Sequence, residues 1–136
     1  KVIPFSNDDP FKFLPIDLYA RAKDSYVENG EYVQTFEIYG ERISKVEYAL
    51  IRDRNQLDNE IKVPVHIKNN IGEFRVKYAD LNRLDSSVFS IFIRYDGFRL
   101  INIKRTLENQ VTYNDRDFVF YTTKAGNIGF TIKNKN

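Results

Sequence analysis

From Ile16 onward, short runs in which apolar and polar residues alternate are cut by turn-forming residues about every 8–15 positions. Alternation with a period of two puts one row of side chains on each face of a strand, so the spacing predicts an all-β fold, an antiparallel sandwich or barrel. The predicted strands are 16–22, 31–39, 43–51, 61–67, 72–78, 87–95, 98–105, 117–123 and 128–133. Asn29-Gly30, Gly40, Asn69-Asn70, Asp96-Gly97 and Gly126-Asn127 fall between them as turn formers. Two segments carry a second period. In 41–52, Ile43, Val46, Leu50 and Ile51 fit a helical stripe while Val46, Tyr48 and Leu50 alternate, and the β-rich surroundings favour a strand. In 17–26, good helix formers follow a capping Asp17, yet Leu18, Ala20 and Ala22 alternate, so both readings stand. Residues 80–85 read as a turn or a single helical turn. Pro4, Pro10 and Pro15 block helix interiors and central strands, which makes residues 1–15 an extended arm or linker ahead of one domain at 16–136.

The sharpest local signal is Ser87 to Arg105, where two alternating runs flank Asp96-Gly97, a dipeptide that suits a two-residue hairpin turn because both positions accept positive φ. Such a turn sets Tyr95 opposite Phe98, Arg94 opposite Arg99 and Ile93 opposite Leu100. Phe89, Ile91, Ile93, Tyr95, Phe98 and Leu100 then form the core face. The other face carries Phe92, Ile101 and Ile103 among Arg94, Arg99 and Arg105, apolar at its centre and basic at its rim. Either the predicted hairpin 117–123/128–133 folds back over this face, or the face is open to a partner.

Between Pro15 and Arg105 the order of segments resembles an immunoglobulin-like or fibronectin type III-like module. An opening strand at Ile16–Ala20 is followed by Glu31–Ile38, Ile43–Ile51 and Gly72–Tyr78, and then by the stretch from Asp80 to Arg94. That stretch is similar to the turn and penultimate strand of such modules, with Leu84 and Phe89 in the places of the leucine and the corner aromatic. Phenylalanine at 89 lacks the hydroxyl of a tyrosine corner, and no tryptophan is present for the core. The resemblance is architectural, leaving 106–136 as a C-terminal extension, and it carries no catalytic residue across. It implies spacing, adhesion or partner docking in a bacterial setting.

Composition narrows the chemistry. A length of 136 residues suits one core, and 42% hydrophobic with 15% aromatic residues is enough apolar mass to fold it. The 21 Lys and Arg are interspersed with 19 Asp and Glu, which argues against a nucleic-acid partner. Apolar runs stop at four or five residues, well short of a membrane span of roughly 18. The absence of cysteine removes disulfides, thiolate catalysis and zinc-cysteine sites. The asparagines form no Asn-x-Ser/Thr acceptor, and the Asn-, Lys- and Ile-rich usage suits an AT-rich bacterial genome. A chain starting at Lys1 without any methionine reads as a processed or truncated product. Together these features place the expectation in the bacterial envelope, in the periplasm or at the cell surface.

His66 stands alone between β-branched neighbours, without a second ligand or a nearby nucleophile, and Pro64 in the same run marks an edge strand. No Gly-x-Ser-x-Gly elbow or phosphate-binding glycine loop occurs. Carboxylates group at Asp8-Asp9, at Asp53/Asp58/Glu60 and at Asp115/Asp117. The middle group lacks the glycine and terminal glutamate of an EF-hand loop and reads as a solvated loop. Tyr19, Tyr26, Tyr32, Tyr39, Tyr113 and Tyr121 fall at positions open to contact with protein or sugar. The leading expectation is therefore a non-enzymatic, protein-binding envelope module without cofactor or metal, docking through Phe92, Arg94, Arg99, Ile101, Ile103 and Arg105. The alternatives are a carbohydrate-binding sandwich using tyrosines, with Ca²⁺ in the 53–60 loop, and a hydrolase built on a carboxylate pair.

Overall fold

The computed structural model describes residues 16–84, 88–113 and 118–133. The predicted arm at 1–15 lies outside them. The fold is all-β: the described residues form eleven strands, a turn of 3₁₀ helix at Ile43–Lys45 and a short helix, α1, at Tyr78–Leu81. The strands are β1 (Tyr19–Glu28), β2 (Glu31–Tyr39), β3 (Val46–Asp53), β4 (Glu60–Pro64), β5 (His66–Lys68), β6 (Ile71–Lys77), β7 (Val88–Tyr95), β8 (Arg99–Lys104), β9 (Val111–Tyr113), β10 (Phe118–Thr122) and β11 (Ile128–Ile132). They hydrogen-bond in one sheet in the order β5-β6-β2-β1-β8-β7-β11-β10-β9, with β3 on the opposite edge of β7 and β4 beyond β3. Every pairing is antiparallel except β1 with β8.

The segment 17–26 resolves as strand from Tyr19 onward, with a bulge between Ala22 and Ser25. The fully buried Gln34 closes it: its amide donates to the Asp24 and Thr35 carbonyls, while its oxygen accepts from the Ser25 and Tyr32 hydroxyls. The predicted strand 61–67 divides at Pro64 and Val65. Proline has no N–H to continue a ladder, and the chain passes there from β4, which pairs with β3, to β5, which pairs with β6. Residues 43–45 form a helical turn before β3 begins, and β9 is a strand that periodicity did not reveal.

The inward rows of the sheet meet in one core. Ala20, Phe36, Ile38 and Phe74 come from the β1-β2-β6 part, and Ala49, Ile51, Phe89, Ile91 and Ile93 from the β3-β7 part. Phe118, Phe120 and Phe130 bring the C-terminal hairpin into it. Tyr32 of β2 stacks on Phe120 of β10 at 3.5 Å between ring centroids, so the two ends of the sheet face each other across the core. The hairpin 118–132 does not fold over the β7-β8 face; β11 adds edge-on to the first half of β7. Burial of each large side chain contributes about 1.5–3 kcal/mol against its exposed state.

Phe36 is fully buried and its ring lies against Gly72, where an added Cβ would fall 2.4 Å from the ring. We expect Gly72→Ala to destabilise the domain by about 1–3 kcal/mol through overpacking. A lowered urea midpoint at unchanged slope checks it, and an unaltered midpoint counts against the packing described.

Candidate functional site

The β7-β8 hairpin decides which side chains reach the outer surface. Asp96 and Gly97 both take positive φ, 54° and 77°, as the dipeptide suggested. The loop nevertheless holds three residues: Phe98 joins it, and pairing runs Tyr95 to Arg99, Arg94 to Leu100, Ile93 to Ile101 and Phe92 to Asn102. The tip is anchored to β3's end by Asp96 N–H donating to the Lys45 carbonyl and Gly97 N–H donating to the Glu47 carboxylate. A shift of one residue turns every β8 side chain to the other face. The predicted register is therefore corrected, and the physical reason is visible in burial. A two-residue turn directs Asn102 and Lys104 inward with Phe98 and Leu100, whereas the observed one directs Ile101 and Ile103 inward, leaves Phe98 73% exposed and puts Leu100 on the outer face.

The six residues of the predicted face consequently part. Phe92 and Arg94 stay on the outer face of the sheet, half-buried. Ile103 and Arg105 are fully buried, and Ile101 packs against the core. Arg99 stands at the hairpin base, where its guanidinium donates to the Asp17 carboxylate at 2.9 Å. Arg105 has no carboxylate partner among the described residues. It donates to the Leu107 carbonyl at 2.9 Å, to the Asn109 carbonyl and to the Thr122 hydroxyl, while its Nε has no partner. Burial lowers its pKa, but a guanidinium stays charged, so its carbonyl contacts fasten the chain after β8.

In place of the lost members, the outer face gathers side chains from β3, β4 and β8. Register sets Pro64, Tyr48, Arg94 and Leu100 in one row and Lys62, Leu50, Phe92 and Asn102 in the next. Lys62 Nζ and the Arg94 guanidinium lie 5.2 and 5.9 Å from the Tyr48 ring centroid, a cation–π pair on one ring. Leu50 is fully buried beneath them although it points away from the core, since long basic side chains cover apolar surface with their stems. Arg52 pairs with Glu60 at 3.0 Å, whereas Lys62, Arg94 and Lys104 have no carboxylate within ion-pair distance among the described residues. The face is thus apolar at its centre and basic at its rim, with a membership half different from the predicted one.

The remaining candidates fall elsewhere. His66 is exposed on β5, an edge strand. Asp53 is fully buried, and its carboxylate accepts from Asn55 N–H at 2.7 Å and the Asn59 amide at 3.2 Å, closing the 53–60 loop on itself. No group of three metal-ligating side chains occurs among the described residues. Asp8-Asp9 and Asp115/Asp117 lie outside them. Of the tyrosines, Tyr32 and Tyr113 are buried, Tyr26 is exposed, and Tyr19, Tyr39 and Tyr121 are half-buried.

No protein-family profile and no curated protein matches the chain. Among the solved structures that share its fold are two from S. aureus. One is S. aureus TarS, with a TM-score of 0.61 and 13% identity over 97% of this chain and 27% of that one. The other is S. aureus TarS 217-571, with a TM-score of 0.62 and 12% identity over 98% of this chain and 44% of that one. The chain therefore spans less than half the length of either structure.

The Asp17 carboxylate accepts from the Tyr95 hydroxyl at 2.7 Å, from Arg99 and from Arg42 at 3.3 Å. These contacts, Tyr95 foremost, hold its pKa below the ordinary 3.8. A depressed folded pKa contributes stability that is present above the unfolded value and lost as pH falls through the folded one. We expect urea stability to drop on acidification below about pH 4, with a shallower drop in Asp17→Asn. Parallel acid limbs in the two proteins would exclude a contribution from Asp17.

Proposed function

We propose that the chain is a non-enzymatic docking module of a bacterial envelope or surface protein, binding an acidic protein segment through the outer β4-β3-β7-β8 face. The observation that carries the reading is the uncompensated charge of that face: Lys62, Arg94 and Lys104 border Tyr48, Phe92 and Leu100 without carboxylates of their own. Aromatic centres with cationic rims gain from burial of the rings and from the paired charges of a complementary partner. Other carboxylates are committed to the fold, Asp17 to three donors and Glu60 to Arg52. A modular role is supported by the fold's occurrence as a minor part of longer chains. Leu84 and Phe89, both buried, support an immunoglobulin-like kind of module. The envelope location rests on the composition.

The test is capture from an envelope fraction at low and high salt, beside a Lys62→Glu/Lys104→Glu variant whose changes sit on exposed positions. A protein with an acidic segment should be retained by the parent and weakened about tenfold or more by the variant and by salt. Retention indifferent to both would sink the reading.

A further inference from the structure

Where β8 and β11 share one edge of β7, the sheet forks. β11 pairs with Val88–Ser90, β8 pairs with Phe92–Tyr95, and past β7 the two meet in a bridge between Lys104 and Asn127. The fork leaves an open hollow of about 540 Å³ bordered by Arg54, Ser90, Asn102, Tyr121, Lys124 and Asn127, among others. Four separate segments converge there, and none contributes a carboxylate to the lining.

The hollow is held in shape from below. The Thr123–Asn127 turn is closed by Thr123 N–H to the Asn127 carbonyl at 2.8 Å, Gly126 N–H to the Thr123 carbonyl at 2.9 Å and Asn127 N–H to the Thr123 hydroxyl at 3.1 Å. Arg105 N–H donates to the Gly126 carbonyl at 2.9 Å, tying the turn to the end of β8. The tip of the Tyr121 ring lies against Gly129, where an added Cβ would come within 3.1 Å of its Cζ and 2.7 Å of the Thr123 methyl. The ring tip is thereby held against the strand at the rim of the hollow.

What lines the hollow is unspent. Arg54 donates from Nε to the Ser90 hydroxyl at 3.1 Å, and its terminal nitrogens have no partner among the described residues. Lys124 is exposed and has no carboxylate within ion-pair distance there. Asn127 Oδ1 is buried without a donor. Two cations that converge with no anion between them select a negative ligand, and an orphan acceptor beside a flat ring selects one that also carries hydroxyls.

We propose that this hollow is a binding site for an oxyanion, a phosphate or sulfate group borne on a hydroxylated body, with Arg54 and Lys124 on the anion, Asn127 Oδ1 accepting from a hydroxyl and Tyr121 at the rim beside the body. The hollow adjoins the docking face and shares Asn102 with it, whereas Arg54, Tyr121 and Lys124 belong to the hollow alone, so variants at Arg54 and Lys124 test it apart from the docking reading. Titration of the whole chain, followed by backbone amide shifts at constant ionic strength, tests it with inorganic phosphate, sulfate, glucose 6-phosphate and glucose. Saturable shifts at Arg54, Ser90, Asn102 and 121–128 are expected with the first three. They should weaken about tenfold in Arg54→Gln and in Lys124→Gln. Tighter binding of glucose 6-phosphate than of phosphate identifies a phosphorylated sugar as the source, and equal binding identifies the free anion. Absence of saturation, equal affinity in parent and variants, or shifts with glucose alone overturns the proposal. If Arg54→Gln disturbs the spectrum globally, Lys124→Gln, on an exposed turn, decides.

Discussion

The structure hangs on one strand. β8 gives its first residues to the edge of β7 and its last two to β1, and this is the pairing that joins the β5-β6-β2-β1 part of the sheet to the β3-β7-β11 part. Its register is set at the hairpin tip, where Lys45 and Glu47 hold Asp96 and Gly97 and push Phe98 into the loop. That register places Ile101 and Ile103 against Ile93 and the core and spares Asn102 and Lys104 from burial, which outweighs leaving Phe98 at the tip and Leu100 on the outer face. The same parity carries Arg105 inward. Its charge is held by carbonyl oxygens and a hydroxyl, which fixes residues 107–109 and 122 around it.

Most of the strands were legible because alternation is a property of single segments. Phe89, Ile91, Ile93 and Tyr95 were recognisable as one buried row, and they are buried. Parity between strands is different, because it depends on the count of residues in a turn. Asp96-Gly97 signals positive φ but not whether a third residue joins it. One signal was present: the two-residue register drives Asn102 and Lys104 toward the core, and the polar cost of that placement speaks for the shift. The split at Pro64 was half legible, since proline marked an edge without showing that the chain changes partners there. Tyr32 and Tyr113 misled because both rings reach the core, with hydroxyls satisfied by Gln34 and the Gly30 carbonyl. The fork hollow had no sequence signature, being assembled from four segments.

Charge is sorted in this molecule by what it is used for. Acids serve largely as internal fasteners: Asp17 at the hairpin base, Asp53 in its loop, Glu37 with Arg21, Glu28 and Glu73 with Arg75. Lys62, Arg94 and Lys104 on the outer face, and Arg54 and Lys124 in the fork, lack a carboxylate partner among the described residues. A formal net charge of only +2 therefore conceals a locally positive side, with field lines directed outward from one face.

The parallel pairing of β1 with β8 has a further meaning for the life of the chain. Asp17 and Arg99, bonded across the same junction, are 82 positions apart. A strand emerging early from the ribosome waits for nearly the whole domain before its second edge is covered, and contacts of this span close late and slowly. Until then β1 offers unpaired N–H and C=O groups to any extended neighbour, so the newly made chain is most prone to pair wrongly at its beginning. The charged outer residues of β1, Arg21, Lys23 and Glu28, are placed where they discourage such encounters.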